Sequence, residues 1–189
     1  MKIFCIGLNK TGTRSLHEAL QILGLSSVHW GGPDLSTAVQ RAAEIRAAVE
    51  RALQEGRPLL ADLEAADAYS DIHALTINFD VLDRQYPGSK FILTVRDLAD
   101  WLASRERHVM ANLTYRERGE YAGSFLSADV DGWAEEMVAH DARVRSHFAG
   151  RPDDLLVMDI SAGDGWERLC PFLGVPVPAV PFPRRGSAG

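Results

Sequence analysis

Long apolar runs, an excess of positive charge and a framework of cysteines are all missing from this 189-residue sequence. No apolar run is long enough to span a membrane, and the N-terminal one is shorter than the apolar region of a signal peptide. The formal net charge is −6, which argues against nucleic acid as a general partner. We therefore expect neither a membrane nor nucleic acid among its partners.

The cysteine count is also low. Cys5 and Cys170 are the two cysteines, and neither has the neighbouring His or Cys residues that a zinc site requires. A disulfide and two buried thiols both remain possible. We favour the thiols, which indicate a reducing, cytoplasmic environment.

The apolar residues that are present, 46% of the chain, are enough for a core, and the length predicts one domain over residues 1–189. Short apolar segments alternate with helical patterns, which predicts an α/β fold with a mostly parallel sheet of about five strands. The predicted strands are 3–6, 26–30, 58–61, 90–95 and 155–158, and the predicted helices are 15–23, 35–53, 75–86, 100–108, 131–148 and 165–173. We expect a loop at 67–73 and assign no structure to 110–128.

The segment 3–23 organises the chain. An apolar strand is followed by a loop that contains Gly7 and Gly12 and then by a helix. In this order, loop amides and the positive end of the helix dipole converge, so the segment predicts an anion-binding site. Ligands of parallel sheets bind at the carboxyl ends of the strands, and Lys10, His29, Asp62 and Arg96 each follow a predicted strand.

The loop departs from the Walker nucleotide-binding pattern at informative positions. Gly7 and Gly12 have the Walker spacing, but Thr13 stands where the lysine belongs and Arg14 where the metal-binding hydroxyl belongs. The lysine is instead Lys10, inside the loop. A second candidate anion site combines Arg96, at the end of a predicted strand, with Ser104 in the following helix, because arginine offers a fork of donors to a phosphate.

These motifs resemble those of sulfotransferases that use PAPS (3′-phosphoadenosine 5′-phosphosulfate). Segments 86–96 and 163–174 are similar to the small sulfotransferase-like P-loop proteins of bacteria and fungi, and the resemblance covers most of the chain outside 110–128. It implies a three-layer P-loop fold, PAPS as sulfuryl donor without a metal, and a small-molecule acceptor with a hydroxyl or amine.

The resemblance also implies residue roles. Lys10 would neutralise charge on the leaving group, and Arg96 with Ser104 would hold the 3′-phosphate. The 5′-phosphate would be bound by the amides and hydroxyls of Gly12, Thr13, Arg14 and Ser15, and Lys10 and Thr11 would also belong to the cofactor-binding set. Arg184 and Arg185 faintly resemble a basic loop that clasps the 3′-phosphate in cytosolic sulfotransferases.

Transfer to a hydroxyl needs a base, and four residues are candidates: His29, Asp62, Asp71 and His73. Each also has a structural explanation, such as strand-end packing for His29 or helix capping for Asp71. We interpret His140 as a structural histidine, the stripe Trp133, Met137, Val144 and Phe148 as core, and the charged run 105–108 as a solvated face. A metabolite kinase and a non-catalytic nucleotide-binding protein remain alternative functions.

Overall fold

The computed structural model describes residues 1–30 and 35–185, and within them the chain alternates short strands with helices. The strands are β1 (Ile3–Cys5), β2 (Ser27–His29), β3 (Ala68–Ser70), β4 (Lys90–Thr94) and β5 (Leu155–Met158). The helices are α1 (Thr13–Ile22), α2 (Leu35–Gln54), α3 (His73–Thr76), α4 (Phe79–Gln85), α5 (Leu98–Glu117), α6 (Val130–His147) and α7 (Trp166–Leu173).

The five described strands form one sheet in the order β2-β3-β1-β4-β5, and every described pair is parallel. Cys5 pairs with both Ser70 and Ile92, and Ser70 also pairs with His29. The carboxyl ends of β1, β2 and β3 are therefore level with one another. This sheet confirms the α/β prediction and places the residues that follow these strands at one edge.

Both faces of the sheet are covered, which gives three layers. Along β1, Phe4 packs with α4 and α6 in one core, whereas Ile3 and Cys5 pack with α1 and α7 in the other. The side chains of successive strand residues point to opposite faces, so a strand buried on both sides is apolar throughout. That is why residues 3–6 and 90–95 were identifiable from composition alone.

The predicted third strand is wrong. Residues 58–61 form a turn, and the third strand is Ala68–Ser70, within the segment predicted to be a loop. Leu59 is buried, but the backbone N–H of Leu59 donates to the Gln85 side chain rather than to a strand. The apolar residues at 58–61 were interpreted as a strand because they are consecutive, but they belong to a turn. The true strand, Ala68–Ser70, has only three residues, which is too few to show the alternation typical of a strand.

The helical boundaries also differ from expectation. The predicted helix 75–86 is two helices, α3 and α4, separated at Asn78, whose backbone leaves the helical region. Helix α5 continues to Glu117 and takes up much of the unassigned segment. Cys5 and Cys170 are free, buried thiols, which agrees with the favoured interpretation.

Candidate active site

The loop between β1 and α1 lies directly against the end of β4. A Cβ atom added to Gly7 would lie 1.9 Å from Oγ1 of Thr94, so only glycine fits there. Thr11 is 1% exposed, and its hydroxyl donates to the Leu8 carbonyl at 2.6 Å while accepting from the Thr94 hydroxyl at 2.6 Å. The Thr11 side chain therefore holds the loop together and fixes it to the end of β4.

Helix α1 begins at the end of this loop with its amides exposed to it. Gly12 is the N-cap, with a left-handed φ of 100°, and no side chain accepts a hydrogen bond at this end. An added Cβ at Gly12 would also lie 3.1 Å from Ile160. The first turn of a helix has unpaired N–H groups and the positive end of the helix dipole, so this start favours an anion.

Lys10 and Asp71 are the two non-glycine residues with positive φ in the part of the chain that the structure describes, at 66° and 56°. Such backbone conformations cost free energy and are concentrated at functional sites. Burial lowers the pKa of Lys10, an effect that Asp71 opposes and that Arg14, Arg96 and Arg107 reinforce. Lys10 is thus a partly desolvated cation within range of one carboxylate.

Asp71 follows β3 directly, and its side chain is 11% exposed. Burial raises the pKa of Asp71 to about 7, even though hydrogen bonds from the Trp30 and Thr13 side chains and the charge of Lys10 act in the opposite direction. A carboxyl group with a pKa near neutrality can exchange a proton at physiological pH, as a general base must.

His29 ends β2, and its Nε2 lies 3.4 Å from a carboxylate oxygen of Asp71. Burial, His17 and Arg14 together lower the pKa of His29 to about 3. The ring centroids of His17 and His29 are 5.1 Å apart, and Nδ1 of His17 is hydrogen-bonded to the Ser27 hydroxyl at 2.8 Å. A histidine with this pKa is a weak base, so His29 is better suited to support Asp71 than to replace it.

Arg96 approaches the loop from the end of β4. Its Nη1 donates to the Lys10 carbonyl at 3.3 Å, and its buried Nε has no partner among the described residues. Asp97 then caps α5 by accepting from the Asp100 N–H at 3.1 Å. Ser104, in that helix, is 2% exposed. An arginine nitrogen that is buried and unpaired, on a side chain that contacts the loop, fits a phosphate better than a neutral ligand.

Comparison with known proteins identifies the family of this chain. The model of the sulfotransferase domain family matches residues 2–189. The chain belongs to the sulfotransferase domain family. A relative, "Ava biosynthesis cluster protein M" of Aspergillus versicolor, is 26% identical over 212 residues, which cover 97% of this chain and 80% of the relative. Membership confirms the predicted family and assigns this sulfotransferase domain to the transferases that move sulfuryl groups.

The structure brings most of the predicted site residues of the sulfotransferase domain together around Lys10. Arg96 contacts the Lys10 carbonyl, and the charges of Asp71 and Arg14 act on the Lys10 ammonium. Thr13 is hydrogen-bonded to Asp71. These contacts join three strand ends and the start of α1 into one site.

Asp62 lies apart from this group and is a correction to the predicted set. It ends no strand, because 58–61 is a turn, and it precedes β3 by six residues. Its carboxylate receives two hydrogen bonds from Arg57, at 3.1 and 2.9 Å, and Arg51 lies 3.7 Å away. Asp62 is a surface ion-pair residue.

His73 and His140 differ in burial and in their contacts. His73 is exposed at the start of α3. His140 is 8% exposed and donates from Nε2 to the Ile6 carbonyl at 2.7 Å, so it is structural, as expected. The stripe on α6 is core, but it divides between two clusters, with Trp133 in one and Val144 and Phe148 in the other.

The charged run at 105–108 is only partly a solvated face. Arg105 is 8% exposed, with its guanidinium 4.7 Å from the Trp101 ring and 4.5 Å from the Trp133 ring. It also donates to Glu136 at 3.0 Å. A helical pattern in one helix cannot reveal that the facing helix supplies aromatic rings, and so the burial of Arg105 was missed.

The C-terminal arginines lie close to the loop but are already engaged. The Arg185 N–H donates to the Ser15 hydroxyl at 2.9 Å, and its guanidinium pairs with Glu18 at 2.7 Å. Arg184 donates to carbonyls in the segment after β5. Gly186, the rest of the proposed basic loop, lies outside the described residues.

Three further features of the site were missed. Trp30 donates to the carboxylate of Asp71, His17 packs on His29, and the charge of Lys10 acts on the half-buried His108. Within residues 1–30 and 35–185, none of the helices combines the length and the apolar composition that a membrane span requires.

Proposed function

We propose that this protein transfers the sulfuryl group of PAPS to a hydroxyl or amine of a small molecule, with Asp71 as the general base. The observation that carries the proposal is the pair formed by Lys10 and Asp71, a partly desolvated cation and a carboxyl whose pKa is raised to about 7 by burial. Family membership supports sulfuryl transfer as the reaction.

The residues fit a nucleotide that carries phosphates at two ends. The 5′ end would be bound by the amides of Gly12, Thr13 and Arg14 at the start of α1, where no side-chain cap competes. The 3′-phosphate would be held by Arg96, whose Nε is buried without a partner in the described chain, and by Ser104. When bound, PAPS would supply an activated sulfuryl group and a phosphate leaving group.

The residues of the protein would then contribute electrostatic stabilisation and proton transfer. Lys10 stabilises negative charge as it develops on the leaving oxygen, and a fixed cation of this kind commonly contributes a hundredfold or more to a rate. Asp71 accepts the proton of the acceptor hydroxyl or amine. Trp30 and Thr13 hold the carboxylate in position, and the neutral ring of His29 lies beside it.

The first test is thermal stability with 3′,5′-ADP, the desulfated product, in the absence of metal. A ligand at about one hundred times its dissociation constant stabilises a protein by roughly 2.7 kcal/mol, which for a chain of this length is a shift in Tm of about 5–10 °C. We expect this shift in the wild type, its loss in Arg96→Ala, and no loss in Arg145→Ala, a surface arginine that pairs with Asp141 of its own helix.

A kinase remains the second candidate because Gly7 and Gly12 have the Walker spacing. It predicts stabilisation by ATP with Mg²⁺ and none by 3′,5′-ADP, and that result would overturn the sulfotransferase proposal. Stabilisation by 3′,5′-ADP with no transfer from radiolabelled PAPS to any acceptor would instead favour a non-catalytic nucleotide-binding protein.

A further inference from the structure

Three buried polar atoms near the loop lack a hydrogen-bonding partner among the described residues. They are Nε of Arg96, Oδ1 of Asn9 and Nδ1 of His108. An unpaired buried polar group is unfavourable, so such groups usually bind a ligand or water. Arg96 has a role in the proposed function, whereas Asn9 and His108 have none.

His108 lies on α5, four residues after Ser104, and residues at this spacing share one face of a helix. The face that carries the buried Ser104 therefore continues to His108. The charge of Lys10 also acts on His108, which places its ring within electrostatic range of the proposed catalytic lysine.

Asn9 comes directly before Lys10 in the loop. Its backbone carbonyl accepts a hydrogen bond from Nε1 of Trp101 at 2.7 Å, which ties the loop to the first turn of α5. The main chain of Asn9 is thus fixed between the loop and this helix, while Oδ1 of its side chain is left to accept a hydrogen bond from elsewhere.

The environment of His108 suits an uncharged ligand. Burial, with smaller effects of Lys10 and Arg105, lowers the pKa of His108 to about 4, so its ring is neutral at physiological pH. Phosphates are bound by cations and amides, and a neutral ring adds little to them. The centroid of the Phe125 ring lies 5.2 Å from that of His108 and supplies an apolar wall.

We propose that Asn9 and His108 form an acceptor subsite that recognises a hydroxyl group on an uncharged small molecule with an apolar ring. Oδ1 of Asn9 accepts from the hydroxyl, and Nδ1 of His108 pairs with a hydroxyl as donor or acceptor. The subsite deepens the proposed function and rests on it.

Phe125 covers the His108 side of this subsite. Both polar atoms are closed off from solvent, and Phe125 packs on His108 from the segment between α5 and α6. That segment is held by the Asn112 side chain, which donates to the Phe125 carbonyl at 2.9 Å, and by the Phe125 N–H, which donates to the Tyr121 hydroxyl at 3.3 Å. The acceptor enters when the Phe125 ring moves aside.

The test uses phenol as the probe and fluorobenzene, which lacks the hydroxyl, as its match. Nitrogen-15 spectra of the histidine side chains are recorded on the full chain with saturating 3′,5′-ADP. Phenol should shift the Nδ1 signal of His108, and fluorobenzene should not. His108→Phe should weaken phenol binding roughly three- to tenfold, the worth of one hydrogen bond, and leave the affinity for 3′,5′-ADP within about twofold.

His147→Phe is the matched control, because His147 is the last residue of α6 and pairs with Asp83 of α4. It should change neither affinity. Asn9→Leu, close in size, provides a second variant with the same expected loss of phenol binding. Equal shifts from both probes, no shift from either, or a loss of 3′,5′-ADP affinity in His108→Phe would overturn the subsite. If 3′,5′-ADP does not bind the wild type, the proposed function fails, whereas a phenol shift at His108 still supports a hydroxyl subsite.

Discussion

The two flanks of Lys10 differ in the charge that they bury. On the side of β2 and β3, the chain buries one carboxyl, Asp71, and surrounds it with the neutral donors Trp30 and Thr13. On the side of β4 and α5, it buries the cation Arg105 and the Nε atom of the half-buried Arg96. The difference supports the proposal that the first flank exchanges a proton and that the second, through Arg96, binds negative charge.

Removing Lys10, which both flanks share, should have the largest effect. In Lys10→Met we expect kcat for transfer from PAPS to fall at least about a hundredfold, since the positive charge beside the developing negative charge is lost. The substitution keeps the backbone strain, because any non-glycine residue there bears the same φ of 66°. Steady-state transfer of radiolabelled sulfur measures the loss.

The control for Lys10 is Lys90→Met. Lys90 begins β4, at the end of the strand opposite to Arg96, and donates to the Asp153 carbonyl. Its loss should leave kcat unchanged. Full activity in Lys10→Met would show that neither flank acts through this lysine.

Asp71→Asn removes the proposed general base from the flank formed by β2 and β3. Asparagine tolerates the left-handed backbone at this position, so the change removes the base with little added strain. We expect kcat to fall about 10²- to 10⁴-fold. In the wild type, kcat/KM should rise with pH through about 7, where the carboxyl loses its proton, and the variant should lack this rise.

The same group links stability to pH. Because folding raises the pKa of Asp71 from 3.8 to about 7, its contribution to stability is fully present below pH 3.8 and is lost as the pH rises through 7. Asp71→Asn should therefore raise Tm at pH 8 more than at pH 4. An equal change at both pH values would mean that folding does not raise the pKa of Asp71.

Arg105→Met tests whether the cations of the other flank share one task. Arg105 stacks between Trp101 and Trp133 and pairs with Glu136, so we expect a loss of about 1–3 kcal/mol of unfolding free energy from the lost cation–π and ionic contacts. Urea denaturation measures it, with Arg107→Met, an exposed neighbour, as control. If 3′,5′-ADP affinity falls while stability stays the same, Arg105 binds the nucleotide and its role here is wrong.

Asp62→Asn should have the smallest effect. Its carboxylate pairs with Arg57 at the surface and touches neither flank. We expect unchanged kcat and KM in the transfer assay. A loss of activity comparable to that of Asp71→Asn would return Asp62 to the candidates for the base.

Segments whose structure depends on residues close along the chain were easier to predict than segments held by residues far along the chain. The strand, loop and helix at 3–23 were predicted closely, because glycines and apolar periodicity specify them locally. Arg96 was identified in the same way, from its place after an unmistakable strand. By contrast β3 is three residues long and is a strand through pairing with β1 and β2, which no local pattern can show.

The sequence by itself determined the anion-binding loop, the alternation of strands and helices, and which residues follow the strands, because these depend on neighbouring residues. Only the tertiary structure decided which of the candidate bases is buried among hydrogen-bond donors. The pKa of Asp71 is near 7 because burial raises it, while donors from Trp30 and Thr13 and the ammonium of Lys10, all distant along the chain, lower it only in part. The same holds for Arg105, which is buried because α6 supplies Trp133. Desolvation and charge act through space, so a group's chemistry depends on neighbours that only the folded chain assembles.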